Sequence, residues 1–126
     1  MSTKILLAED NEFNRDMLLR RLERRGYQVA VATDGEGAIE MVRAYGPDLL
    51  VLDIGLPVLD GLEVASRIRA DPQLRTLPIL GLSAHAMQGD RERALAAGCD
   101  DYETKPVEME RLLDKIQLLL QTGTKP

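Results

Sequence analysis

Five short apolar segments alternate with helical segments along this chain of 126 residues, and this alternation constrains the fold more than any other feature. The apolar segments are residues 5–8, 29–31, 49–52, 78–82 and, more weakly, 101–103. Each is followed by a stretch whose apolar residues recur at the spacing of a helix. Strand, helix, strand order predicts parallel pairing with right-handed crossovers, which brings all strand C-termini to one edge of the sheet. We therefore expect an α/β fold, a doubly wound five-stranded parallel sheet.

Local signals predict where several helices begin and end. Residues 33–36 match a capping box that opens the second helix, and Gly46 followed by Pro47 is expected to end it. Residues 86–97 are typical of a fourth helix that ends at Gly98.

Length and composition narrow the functional classes. The chain fits a single domain, residues 1–126, with an ordered core expected at about residues 4–121. A net charge of −5, three Tyr, one Phe and no Trp argue against a nucleic-acid partner. No apolar stretch approaches the roughly 20 residues that span a bilayer, so we expect no membrane span and a cytoplasmic location. The single cysteine, Cys99, is expected to be a small buried apolar residue.

Four of the predicted strands end in polar residues of an unusual combination: Glu9 with Asp10, Asp53, Ser83 and Lys105. Ligands of open α/β sheets bind at the edge formed by the strand C-termini. Carboxylates on neighbouring strands repel one another unless a cation or a shared proton relieves the charge. Mg²⁺ suits such a set because it prefers one or two carboxylates together with waters and phosphate oxygens.

Each of these residues, taken alone, also has an ordinary structural interpretation. Glu9 or Asp10 could cap the helix that follows, and Asp53 could form a turn after a buried strand. Ser83 could cap the next helix, and an isolated Lys105 could be a solvated surface charge. Their combination is what favours a functional site.

The combination resembles the receiver domain of two-component response regulators over residues 4–121. The segments that match in order and spacing are residues 7–11, 53–61, 82–87 and 101–106. The resemblance implies a flavodoxin-like fold with strand order 2-1-3-4-5, in which the first and third strands are neighbours.

The resemblance also assigns roles to the polar residues. Asp53 would accept a phosphoryl group from a phosphohistidine, and a carboxylate needs no general base for this. Glu9, Asp10, Asp53 and the backbone carbonyl of Gly55 would hold Mg²⁺. Ser83 and Lys105 would bind phosphoryl oxygens.

Two further residues receive roles from the resemblance. Tyr102 matches the aromatic switch position, although a half-buried aromatic at the sheet edge is an equally good interpretation. The bond before Pro106 would be cis, whereas generic X-Pro bonds are mostly trans. The chain departs from the commonest family pattern with glycine at Gly55 and serine rather than threonine at Ser83.

The implied partners are a histidine kinase or histidine phosphotransfer protein and a downstream protein target. The chain would catalyse its own phosphorylation and dephosphorylation without being a turnover enzyme on an external substrate. The segment from Ser83 to Gly98 resembles single-domain regulators and the receivers of hybrid histidine kinases. Since the chain stops soon after the final helix, we expect its effect to be exerted by protein contact or onward phosphotransfer, unless it was cut from a longer protein.

Three other functions compete with this interpretation. An aspartyl phosphatase of the haloacid dehalogenase type needs an acid two residues after its nucleophile, where this chain has Gly55. A phosphate-independent interaction module would not need the acidic, hydroxyl and lysine set. Dinucleotide binding is disfavoured because no glycine-rich loop follows the first strand.

Overall fold

Five strands and five helices alternate along the chain in the computed structural model, which describes residues 3–83 and 89–123. The strands are β1 (Lys4–Ala8), β2 (Gln28–Ala32), β3 (Leu49–Asp53), β4 (Ile79–Ser83) and β5 (Asp101–Thr104). The helices are α1 (Glu12–Arg24), α2 (Gly35–Tyr45), α3 (Gly61–Ala70), α4 (Asp90–Ala97) and α5 (Met109–Gly123).

The strands form one parallel sheet in the order β2-β1-β3-β4-β5. Both the predicted fold class and the predicted strand order are confirmed. β3 lies in the centre with all five of its residues buried, as a strand covered on both faces requires.

Side chains of the central strands alternate between two apolar layers. Leu6, Leu50 and Leu52 face the layer that also contains Val64 and Ile68 of α3. The opposite layer contains Leu18 and Leu22 of α1 together with Leu112 and Ile116 of α5. The sheet is thus packed between α2, α3 and α4 on one face and α1 and α5 on the other, leaving its two ends for the loops.

Side-chain caps begin three of the helices. Asn11, Asp34 and Asp60 each accept a hydrogen bond from the backbone N–H three residues later, at 2.7 to 3.0 Å. The predicted capping box at residues 33–36 is therefore wrong in detail, because Asp34 rather than Thr33 is the capping residue. A carboxylate at this position also interacts favourably with the helix dipole. Gly46 ends α2 in the left-handed conformation, as predicted.

The start of the fourth helix is described only from Gly89 onward. Within the described residues α4 starts at Asp90, with Gly89 as its N-cap, and the predicted start at residue 86 lies outside them. Ser83 is the last residue of β4, so it does not cap this helix. None of the helices within residues 3–83 and 89–123 has both the length and the apolar character needed to cross a bilayer.

Gly61 allows the loop after β3 to fold back closely against the start of α3. Its N–H donates a 2.8 Å hydrogen bond to the Ile54 carbonyl. A Cβ atom at residue 61 would lie 2.5 Å from the Asp53 carbonyl oxygen and 2.6 Å from Ile54 Cα. Any larger residue at this position must therefore displace backbone beside Asp53.

We predict that Gly61→Ala lowers the free energy of unfolding by about 1–3 kcal/mol, the usual cost of overpacking. Helix propensity alone would predict the opposite sign, because alanine stabilises helices relative to glycine. Urea unfolding measures the difference. Gly55→Ala is the matched control, since its Cβ would meet only Asp53 Oδ1 at 3.7 Å. Equal stabilities for the two variants would contradict this packing argument.

Candidate functional site

A cavity of about 490 Å³ opens at the edge of the sheet where the strands end. Glu9, Asp10, Asp53, Ser83 and Lys105 all line it. Gly55 and Tyr102, the other predicted site residues that bear on the cavity, line it as well. Residues far apart in sequence are therefore brought to one place.

The register of the sheet produces this convergence. Ala8 pairs with Leu52, so that Glu9 and Asp53 are the next residues along the neighbouring strands β1 and β3. Ser83 pairs with Thr104 at the end of β4 and β5, and the Lys105 N–H donates to the Ser83 carbonyl at 2.8 Å. Parallel pairing alone thus places the acids, the hydroxyl and the lysine at one edge.

Three carboxylates form the acidic part of the site. Glu9, Asp10 and Asp53 each offer one oxygen, and these oxygens lie within 4.8 Å of one another. Glu9 is fully buried and Asp53 nearly so, whereas Asp10 is exposed. Backbone donors orient the buried pair: the Asn11 N–H donates to Glu9 Oε2 at 3.1 Å and the Gly55 N–H to Asp53 Oδ1 at 3.0 Å.

Lys105 joins the two buried carboxylates. Its Nζ lies 2.8 Å from Glu9 Oε1 and donates a 3.1 Å hydrogen bond to Asp53 Oδ2. Glu9 Oε1 makes this ion pair without a hydrogen bond of regular geometry. The lysine side chain is only 15% exposed, so its charge acts in an environment that screens it poorly.

The pKa values reflect this burial and pairing. Burial raises the pKa of Glu9, the Lys105 ammonium opposes that rise, and the nearby Asp53 charge adds to it. Burial alone would lower the pKa of Lys105, but the contacts with Glu9 and Asp53 outweigh it, so the pKa is raised. Lys105 is therefore a permanent cation at neutral pH.

The donor set fits a hard divalent cation. It consists of carboxylate oxygens, one exposed and two buried, and one buried oxygen lacks a regular hydrogen bond. Oxygen ligands of this kind suit Mg²⁺, which binds through one or two carboxylates and keeps several waters. The exposed Asp10 side leaves room for those waters.

The ordinary structural interpretations of the site residues fail for most of them. Asn11, not Glu9 or Asp10, caps α1. Lys105 is buried in ion pairs rather than solvated. Tyr102 is buried, at 8% exposure, although it lies on an edge strand.

Other outcomes for the predicted residues are mixed. The Lys105–Pro106 bond is cis in the structure. The carbonyl ligand at Gly55 and the switch role of Tyr102 stay predictions. His85 and the rest of residues 84–88 lie outside the described residues. Cys99 is buried as expected, and burial raises the pKa of its thiol to about 11.

Sequence reasoning missed two charged residues of the cavity and one contact within it. Asp90 and Arg93 of α4 line the cavity and form an ion pair with each other. Nothing in the sequence singled them out, because they follow the β4 strand by several residues within a charged helix. The bridge from Lys105 to Glu9 was also missed, since the resemblance assigned Lys105 to the phosphoryl group alone.

Comparisons with known proteins agree with this geometry. The family model described as response regulator receiver domain matches residues 5–117. The polar-differentiation response regulator DivK of Brucella ovis is 35% identical over 120 residues, which cover 95% of this chain and 98% of the relative.

Two solved structures are also similar. The receiver domain of a Pseudomonas aeruginosa sensor histidine kinase, with a magnesium ion coordinated in its active site cleft, shares 37% identity at a TM-score of 0.89. That match covers 96% of this chain and 99% of the other. The second is the Saccharomyces cerevisiae complex of the histidine phosphotransfer protein Ypd1 with the receiver domain of Ssk1. It shows 32% identity and a TM-score of 0.85, covering 92% of this chain and 87% of that chain.

The family match extends over most of the chain, and the relatives match it nearly end to end. The chain belongs to the response regulator receiver domain family and is a receiver domain of two-component signalling.

Proposed function

We propose that this protein takes a phosphoryl group from a phosphohistidine onto Asp53 in a Mg²⁺-dependent reaction, and then changes conformation to signal to a partner protein. The observation that carries the proposal is the arrangement at Asp53. Its carboxylate is buried at the sheet edge, within 4.8 Å of two other acids and in contact with Lys105. We further propose that residues 1–126 act as one cytoplasmic receiver domain.

The transfer exchanges one bond for another. An Asp53 carboxylate oxygen forms a bond to phosphorus while the bond from phosphorus to the donor imidazole nitrogen breaks, and the imidazole keeps the electron pair and takes a proton. Such transfer needs positioning and charge neutralisation more than covalent chemistry from the protein. The hydrogen bond from the Gly55 N–H to Asp53 Oδ1 and that from Lys105 to Oδ2 hold the nucleophile in place.

Glu9, Asp10, Asp53 and the Gly55 carbonyl would hold Mg²⁺ at this edge. When bound, the ion supplies positive charge to the oxygens of the transferring group. This assignment is supported by the oxygen donor set on this chain and by the magnesium seen in the related receiver domain.

Lys105 and Ser83 bind the charge that develops on the phosphoryl oxygens. Phosphorylation removes the negative charge from the Asp53 carboxylate, so the Lys105 ammonium pairs with the phosphoryl oxygens instead. Ser83, at the end of β4, lines the same cavity and supplies a hydroxyl donor. Glu9 remains an ion-pair partner of Lys105 before and after the transfer.

The same contacts drive the conformational change. Moving an equilibrium from 1:99 to 99:1 takes about 5.5 kcal/mol, whereas one charge-assisted hydrogen bond contributes about 1.5–3 kcal/mol. Ser83 alone is therefore insufficient, and we assign the remainder to Lys105 and to the adjoining loops. Tyr102, which lines the cavity, would rearrange with Ser83 and carry the change to β5.

The proposed phosphoryl donor is a histidine kinase or a histidine phosphotransfer protein. The related yeast structure is a complex between a receiver domain and a histidine phosphotransfer protein. Signalling would then pass through contact with a downstream protein or onward phosphotransfer. The chain acts once on itself and is not a turnover enzyme.

Incubation with acetyl phosphate and Mg²⁺ should add one phosphoryl group to the protein, as measured by intact mass. The product should be labile to hydroxylamine, because it is an acyl phosphate. It should be absent in Asp53→Asn and absent when the metal is chelated. Asp60→Asn, which removes another carboxylate of the same loop, should still be phosphorylated. Unchanged uptake in Asp53→Asn would contradict the proposal.

Mg²⁺ should stabilise the folded protein, by about 2.7 kcal/mol at a concentration one hundred times its dissociation constant. Asp10→Asn should remove this response while raising the stability without metal, since it relieves repulsion among the carboxylates. Thermal unfolding with and without Mg²⁺ measures both effects. Asp16→Asn, an exposed acid on α1 outside the acidic cluster, should keep the wild-type response. A full response in Asp10→Asn would rule out this metal site.

Lys105→Met should lower the free energy of unfolding by about 3–5 kcal/mol in chelator, because Glu9 loses its buried cation partner. Arg20→Met, an exposed cation on α1, should change little. The pKa of Glu9, already raised by burial, should rise further in the variant. The difference in unfolding free energy between the wild-type protein and the variant should therefore shrink as pH falls through that pKa, because protonation of Glu9 removes the unpaired charge. A deficit that grows on acidification would contradict the proposed ion pair.

A further inference from the structure

Asp90 and Arg93 of α4 line the cavity of Asp53, and the mechanism above leaves them without a role. Both belong to the first turn of the helix, and Arg93 Nη2 makes an ion pair with Asp90 Oδ1. They lie in the same cavity as Ser83 and Lys105, so any group on Asp53 shares that space with them.

The two members of the pair differ in burial. The Asp90 side chain is only 10% exposed, whereas that of Arg93 is 68% exposed. The carboxylate is therefore held in place, while packing leaves the longer side chain free to change rotamer. A guanidinium has five N–H donors, and the pair uses Nη2, so donors remain for a second acceptor.

The charges in the cavity indicate what that acceptor is. Among the described residues that line it, four are carboxylates and two are cations, which leaves two negative charges in excess. A divalent metal would balance this set. Phosphorylation would then add between about half and one negative charge, because the phosphoryl group carries about one and a half to two and Asp53 loses the charge of its carboxylate. Lys105 is already shared between Glu9 and Asp53. Arg93 is the second cation of the described cavity and the one held by a single acid.

We propose that Arg93 is a second phosphoryl-binding residue, which leaves Asp90 and binds the phosphoryl oxygens when Asp53 is modified. This inference rests on the proposed phosphorylation of Asp53. In the unmodified protein the ion pair with Asp90 restrains the guanidinium. Once Arg93 leaves Asp90, its contact with the phosphoryl group connects that group to the first turn of α4. The state of Asp53 is thereby communicated to α4 as well as to β5.

Binding of beryllofluoride, a stable phosphoryl mimic, in the presence of Mg²⁺ tests the inference by titration calorimetry on the full chain. Arg93→Ala should weaken binding by about five- to tenfold, because it removes a charge-assisted contact. Arg91→Ala is the matched control: the residue is an exposed arginine of the same turn that does not line the cavity, and its loss should leave the affinity unchanged.

A double-mutant cycle separates the direct contact from a general effect of charge. Asp90→Asn should tighten beryllofluoride binding about threefold in the wild-type background. Arg93 would then bind the mimic without first breaking its ion pair with Asp90. The same substitution should have no effect in Arg93→Ala. Additive effects would show that Asp90 acts only as a distant negative charge, and would overturn the restraint.

The outcome also distinguishes this inference from the proposed function. If the wild-type protein binds beryllofluoride and Arg93→Ala binds it as tightly as Arg91→Ala does, Arg93 has no phosphoryl contact and the inference fails while the function stands. If the wild-type protein neither binds beryllofluoride nor takes up a phosphoryl group, the proposed function fails first.

Discussion

The ammonium of Lys105 between the buried carboxylates of Glu9 and Asp53 is the interaction on which the rest of the site depends. Two acids at the end of adjacent parallel strands would otherwise repel each other in a poorly screened environment. One cation makes their burial possible and leaves the cluster with an excess of negative charge. That excess favours binding of a divalent metal. When Asp53 loses its charge on phosphorylation, Lys105 would pair with the phosphoryl oxygens while its contact with Glu9 stays in place.

The fold supplies this arrangement through register rather than through loop design. Parallel pairing places Glu9 beside Asp53 and Ser83 beside Thr104, so the cavity follows from where the strands stop. The close approach of Gly61 to the Asp53 backbone fixes the loop that leaves the central strand. Helix α4 also borders the cavity, through Asp90 and Arg93. Under the inference above, phosphorylation of Asp53 would change the contacts of this helix and so the surface that it presents.

Much of this could be predicted from the sequence, and the exceptions have physical reasons. Apolar runs located the central strands because a strand buried on both faces has no polar positions, and the strand endings identified Asp53, Ser83 and Lys105 as neighbours. Capping was less predictable, since Thr33 and Asp34 are both good caps and only the backbone decides between them. The bridge from Lys105 to Glu9 and the pair of Asp90 with Arg93 depend on side-chain directions across elements, which spacing along the chain does not encode.

The most direct test of the account is to identify the modified residue chemically. Borohydride reduction of the phosphorylated protein converts an aspartyl phosphate to homoserine, and peptide mass spectrometry then locates it. The account predicts homoserine at position 53 alone. Homoserine at position 10 or at any other aspartate, with Asp53 intact, would contradict the claim that the lysine-held carboxylate is the phosphoryl acceptor.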